Sequence, residues 1–273
     1  MRRALRLCCL LTAVAASPAL PQDNTGLDAL DRRDQLFGWE AVGRLDIDGG
    51  GFCTGTLIAT DLVLTAAHCV FGADGAPVDA ARITFRAGLS DGQAIAESRV
   101  AATVTDPAYH RAELITPDMI RRDVALLQLQ TPIPAAVAAP FVVDLPGSGQ
   151  VSVVSYAEGR EAVPSWQRAC SVLAKGQGLL AVDCDVTFGS SGAPVLQMAS
   201  GRGRIVSIIS GGAHDEAGNP VTFGMELPEV VAGLKASLRA GKALSQTAAA
   251  PPRIRRIGAG DTSRNIGARF IKP

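Results

Sequence analysis

Aromatic side chains are scarce, at 4% of 273 residues, and there are only three histidines. The core must therefore be aliphatic, and imidazole chemistry has only His68, His110 and His214 to draw on. No apolar run reaches the roughly 20 residues that a membrane-spanning helix needs. Formal net charge is zero, without the basic excess of a dedicated nucleic-acid-binding chain, and no nucleic-acid module is visible. There is no Cys-x-x-Cys. His68 does stand beside Cys69, but adjacent residues rarely share one tetrahedral zinc. Helical periodicity is also rare, with one good amphipathic stretch near the C-terminus.

What is present speaks of turns and short strands. Hydrophobic residues make up 47%, with 29 glycines and 16 prolines, and the length suits one all-β unit of roughly 200–250 residues. The N-terminus reads as a signal peptide: Arg2, Arg3 and Arg6, an apolar run from Leu7 to Ala16, then small residues to Ala19. Residues 1–19 are thus expected to be removed and the protein exported, secreted or periplasmic. Residues 20–38 read as an exposed lead-in or short pro-segment. Removal of the signal leaves Cys53, Cys69, Cys170 and Cys184. An even number in an exported chain suggests disulfides. Three pairings are open; proximity favours Cys53–Cys69 and Cys170–Cys184, each loop of about 15 residues contributing about 3 kcal/mol.

From Ala41 the chain becomes a series of short apolar or alternating segments: 41–47, 52–58, 62–65, 82–86, 94–105, 124–129, 150–155, 170–173, 179–182, 194–198, 204–209 and 221–225. Glycine- and proline-rich turns separate them, an all-β signature. The proline-rich connection Thr131–Pro140 splits the run, so a unit over 39–240 divides near 131–148 into two small barrels. Pro228–Leu238 predicts a helix with Val230, Val231, Leu234 and Leu238 on one face. Residues 241–273 read as linker and basic tail. Residues 253–273 hold six basic side chains against Asp261, and 1–19 hold three arginines, so residues 20–252 carry a net −8. An acidic body with a basic tail suggests contact with an anionic surface, or simply a solvated tail.

Three residues matter together. His68 lies in Thr-Ala-Ala-His-Cys, Asp123 opens Asp-Val-Ala-Leu-Leu, and Ser191 sits in Gly-Ser-Ser-Gly-Ala-Pro. A carboxylate leading into an apolar strand must be paired if it is buried. A serine between glycines can hold its hydroxyl outward beside backbone N–H groups. Singly each has a bland account, as a core histidine, a turn aspartate and a loop serine.

In this order and spacing the three motifs resemble the chymotrypsin/trypsin-like serine protease family, over residues 34–240. Arg32-Arg33-Asp34-Gln35 and the Cys170/Cys184 spacing look more like its bacterial glutamyl-endopeptidase-like (V8-like) branch. The resemblance implies two six-stranded antiparallel Greek-key barrels with a C-terminal helix, and a monomeric peptidase acting on protein or peptide substrates without metal or cofactor. It implies Ser191 as nucleophile, His68 as general base and acid, Asp123 as the group orienting His68, and the N–H groups of Gly189 and Ser191 as the oxyanion hole. Cys53–Cys69 would bracket the histidine loop, and Ser210, Gly211 and Gly212 would line the substrate.

Two departures carry consequences. Ser190 replaces the family's usual Asp, which pairs with a newly formed amino terminus in animal members, so no such switch is expected. Asp185, six residues before Ser191, stands where trypsin-like members select Arg or Lys at P1, the residue before the scissile bond. The histidine of Glu-preferring members is replaced by Ile209, which disfavours acidic P1. His110 and His214 read as loop residues. Two competing functions are a non-catalytic binding protein on a protease scaffold, and a protease held latent by its tail seated at Asp185. An intact His, Asp and Ser argue against the first.

Overall fold

The structure, a computed structural model, describes residues 26–111, 116–199 and 201–246. The expected signal segment, the start of the lead-in, the Ala248–Pro252 linker and the basic stretch 253–273 lie outside the described residues.

The first half is a closed barrel. Strands β2 (Val42–Ile47), β3 (Gly51–Ala59), β4 (Leu62–Thr65), β5 (Ile83–Ala87), β6 (Ala96–Thr105) and β7 (Ala125–Leu129) run antiparallel in the order β6-β5-β2-β3-β4-β7, and β6 pairs with β7 to close the ring. Asp48-Gly49-Gly50 reverses the chain between β2 and β3, with Gly49 at φ +73° where a Cβ would be strained. Leu45, Leu57, Val63, Phe85 and Leu127 share the inward face and are almost fully buried. Strand β3 is unusual. Cys53 through Leu57 are buried in unbroken succession, so both faces of the strand are covered. One face looks into the barrel and the other meets the second half.

That half is built as two antiparallel sheets facing across their own core. One runs β1 (Leu27–Ala29), β9 (Arg160–Cys170), β8 (Val151–Ala157), β12 (Pro194–Ala199), β13 (Arg202–Ile208). The other runs β10 (Val172–Gly176), β11 (Leu179–Val182), β15 (Pro220–Met225), β14 (Gly211–His214). Val151, Val153, Leu180, Val182, Val195 and Val206 meet between them. Disulfides join Cys53 to Cys69 and Cys170 to Cys184, the pairing that proximity favours.

Two short α-helices accompany these sheets. Helix α1 (Pro117–Arg122) starts on Thr116, whose hydroxyl accepts the Met119 N–H at 3.3 Å, and stops on Asp123. Helix α2 (Pro228–Arg239) buries Val231 and Leu234, with Val230 and Leu238 partly covered, as the predicted stripe requires. Beyond it β16 (Ser245–Gln246) returns to pair with β6, so the start of the stretch read as linker from residue 241 is part of the folded body.

Strand β9 and the lead-in differ from expectation. The eleven-residue strand β9 was not legible because Pro164 interrupts it and few of its residues are apolar. Opposite β8 its register jumps from Ser155–Ser165 to Ala157–Arg160, so Pro164 falls in an irregularity where no ladder bond is demanded of it. The lead-in is not all exposed. Leu27–Ala29 forms a strand against β9, the Leu30 N–H donates to Pro164 O at 2.9 Å, and Leu30 and Leu36 are 2% and 1% exposed. This segment is part of the folded body. Leu30→Ala should therefore cost about 2–4 kcal/mol in a urea-unfolding titration; a cost below about 0.5 kcal/mol, typical of a surface change, would return the segment to the status of a leader.

Candidate active site

His68 sits in a single turn of 3-10 helix (Ala67–Val70) at the end of β4, anchored by the Cys53–Cys69 disulfide. Asp123 caps α1 just before β7. Because β4 and β7 pair with Thr65 opposite Ala125, the two ends lie side by side. Asp123 Oδ1 accepts the His68 backbone N–H at 2.8 Å, and Oδ2 lies 2.8 Å from His68 Nδ1. The Ser210 hydroxyl donates to the same Oδ2 at 2.6 Å. Asp123 is only 4% exposed, and these donors are what make its burial tolerable. As an acceptor it places the imidazole proton on Nδ1 and leaves Nε2 as the basic nitrogen.

The Ser191 turn is brought to this loop by glycine. Gly192 has φ +77°, and a Cβ there would lie 2.1 Å from Thr65 Oγ1, 2.4 Å from Thr54 O and 2.8 Å from Ala66 N. The turn therefore packs directly on the strand end that carries His68. The Ser191 carbonyl accepts the Thr54 N–H at 2.9 Å. Among the described residues no hydrogen bond joins Ser191 Oγ to His68 Nε2, a contact that commonly tightens only with substrate.

Peptide planes in this turn are fixed through their carbonyls. Phe188 O accepts the Glu158 N–H at 2.7 Å, Gly189 O accepts the Thr54 hydroxyl at 2.9 Å, and Ser190 O accepts the Ala193 N–H at 2.9 Å. The Ser190 N–H donates to Thr187 O at 3.0 Å. Among the described residues neither the Gly189 nor the Ser191 N–H is engaged. Gly189, at φ +91°, has no room for a side chain: a Cβ would strike the Phe52 ring at 2.3 Å. The Ser190 side chain is fully buried, with its hydroxyl 3.4 Å from that of Ser155.

Two chain segments form walls beside the turn. One runs from Asp185 to Phe188 and the other from Ser210 to Gly212. A Cβ on Gly212 would lie 3.1 Å from the Val186 side chain, so the walls face each other. Thr222 ties one wall down by donating to Cys184 O at 2.7 Å. Asp185 is exposed, and its N–H donates to Gln167 Oε1 at 2.8 Å. Phe188, at the rim, is 82% exposed.

Sequence reasoning missed several groups around this site. Thr54 and Thr56 stand at i and i+2 of β3, polar yet fully buried, and that shared face was the available signal. Tyr109 is buried against Phe71, their rings 5.4 Å apart; burial, with the Asp123 charge adding to it, pushes its phenol far above the ordinary value. Arg160 opens β9. Burial lowers its guanidinium from the usual value while the negative charge of Asp185 opposes that, and Nη1 is buried without a hydrogen-bond partner among the described residues. His110 and His214 are exposed, as expected of loop residues, although His214 ends β14. The Cys53 and Cys69 thiols beside His68 are consumed by their disulfide and offer no thiolate to a metal.

A Glu endopeptidase, solved in complex with MPD, shares this fold with a TM-score of 0.61 at 19% identity, covering 74% of this chain and 91% of its own. The protease Anisep from Arthrobacter nicotinovorans does so with a TM-score of 0.57 at 18% identity, covering 74% of this chain and 96% of its own. No curated protein matches the sequence. The model of the trypsin-like peptidase domain matches residues 53–206, more than half of the sequence and the span that holds His68, Asp123 and Ser191. The chain belongs to the trypsin-like peptidase domain family.

Proposed function

We propose that the protein is an exported serine endopeptidase that hydrolyses peptide bonds through an acyl-enzyme on Ser191. The observation that carries this reading is the join made by Gly192, which seats the Ser191 turn on the His68 loop while Asp123 holds His68 from behind. Ser191 Oγ attacks the scissile carbonyl carbon as His68 Nε2 takes its proton. The tetrahedral oxyanion is held by the Gly189 and Ser191 N–H groups. His68 then protonates the leaving amine, and water repeats the sequence to release the acid. Asp123 keeps the imidazole in the productive tautomer and stabilises the cation that forms. The two disulfides support an oxidising compartment, extracellular or periplasmic. Residues 1–19 would direct export, and the basic stretch 253–273 would contact an anionic surface on its charge alone.

The finer proposal concerns the residue before the scissile bond. Asp185 favours Arg or Lys there, from the wall that faces Gly212. Arg160 is a second charge within its field, so the preference should be weaker than a lone carboxylate would give.

Fluorophosphonate labelling tests the main reading. Mature wild type should react and Ser191→Ala should not, with peptide hydrolysis reduced at least about 1,000-fold. Wild type that stays unlabelled with both disulfides formed, even after residues 248–273 are removed, would instead leave a binding protein on a peptidase scaffold. In a library varied at P1, Asp185→Ser should lose about tenfold or more in kcat/KM on Arg substrates and spare apolar ones, while Arg160→Leu should raise the Arg-to-Leu ratio; an unchanged profile in both would remove Asp185 from the pocket. Because Ser190 holds no charge for an amino terminus to neutralise, an uncleaved extension on the mature N-terminus should leave kcat within about twofold. A drop of a hundredfold would reinstate an activation switch.

A further inference from the structure

We propose that Thr54 is a positioning residue for the oxyanion hole, its buried hydroxyl setting the middle peptide plane of the Gly189–Ser191 turn from across the barrel seam. The proposal rests on the serine-peptidase reading above.

In a trans peptide the C=O and N–H point opposite ways. Because Phe188 O is held by the Glu158 N–H, the Gly189 N–H faces away from Glu158; because Ser190 O is held by the Ala193 N–H, the Ser191 N–H faces away from Ala193. The plane between them, Gly189–Ser190, decides whether these two N–H groups converge on one oxygen. Its N–H is held by Thr187 O and its carbonyl by Thr54 Oγ1. Glycine at φ +91° has many other backbone orientations available, so nothing intrinsic to the residue fixes this plane.

The Thr54 hydroxyl has one proton to give. Gly189 O at 2.9 Å is the nearer acceptor; Tyr156 O lies at 3.3 Å. The Tyr156 N–H donates to Thr54 Oγ1 at 3.0 Å, which occupies a lone pair and leaves the proton for Gly189 O. The same residue donates its backbone N–H to Ser191 O at 2.9 Å and accepts the Thr65 hydroxyl on its carbonyl at 2.8 Å. One residue of the first barrel thus touches the oxyanion turn, the serine and the strand end bearing His68. These neutral bonds do the work that an ion pair to an amino terminus would do at position 190. The Ser190 hydroxyl instead faces Ser155 in a fully buried site.

Thr54→Val keeps the side-chain shape and deletes the hydroxyl. Its kcat should fall about 10- to 100-fold with KM within about threefold, because the loss is felt by the oxyanion rather than the bound substrate. A peptidyl boronate, whose tetrahedral anion uses the same donors, should lose affinity by a similar factor. Thr54→Ser should restore both. If Thr54→Val does not fold, as judged by circular dichroism, the comparison passes to Thr54→Ala against Thr54→Ser. A folded hydroxyl-free variant with kcat within about twofold of wild type, a loss expressed only in KM, or a serine variant no better than the valine or alanine one would each overturn the proposal. Wild type that fails to react with fluorophosphonate, even after residues 248–273 are removed, would bring down the peptidase reading and this proposal with it. Reactive wild type beside an indifferent Thr54→Val would sink only the role of Thr54.

Discussion

A carboxylate buried to 4% exposure needs hydrogen-bond donors, and Asp123 collects its donors from separate parts of the chain. Two come from His68, in the loop after β4; one comes from Ser210, between β13 and β14 in the other half. No local segment could satisfy it. The first barrel must close so that β4 and β7 lie together, and the second half must dock so that Ser210 arrives. The cost of leaving this charge unpaired ties the geometry around His68 to global folding, since either failure strands it. It also explains why α1 stops where it does: its C-cap is the residue that must turn inward.

The seam between the halves is polar where it meets the turn. Thr54, Thr65, Ser155 and Ser190 are all buried there, joined to one another or to backbone across it. Hydroxyl and peptide groups hold a fixed distance and angle, whereas aliphatic contacts tolerate sliding, so such a seam sets register between two bodies. The two glycines of the turn then allow contact closer than any side chain permits. Gly192 meets Thr65 and Gly189 meets Phe52, so substitution at either would push the serine off the histidine loop.

How much of this was legible follows from what each residue must do alone. The His68, Asp123 and Ser191 motifs are local strings, and the residues around them carry the geometry: Cys69 anchors a loop, the apolar run after Asp123 makes a strand, and glycines bracket a turn. Strands with alternating or continuous apolar pattern were readable for the same reason, as was α2 with its stripe. Strand β9 was not, because its partners β8 and β1 impose its extended form against a proline and several charged residues. Strand β1 has only three residues, too few for periodicity, and Leu30 gains burial solely from long-range docking. Thr54 was not singled out as a site residue because a threonine in a strand is ordinary; the burial of both faces of its strand is a property of the assembled halves.

Charge in the cleft shows the same limit in sharper form. Read along the chain, Asp185 stands six residues before the serine and invites a cation. Folding brings in Arg160 through the β8–β9 hairpin, beside Ala157, which also packs under Gly189. The two charges are unequal in setting. Asp185 is exposed, so water screens it, while Arg160 Nη1 is buried and lacks a hydrogen-bond partner among the described residues. Coulomb interaction strengthens as effective dielectric falls, so the better-buried charge acts more strongly at equal distance. On the proposed reading, an entering guanidinium would gain less from Asp185 than the sequence implies, because that carboxylate already offsets the desolvation of Arg160. Under the proposed P1 preference, selectivity would be a balance between a screened anion and a desolvated cation, and only the fold brings the second into the account.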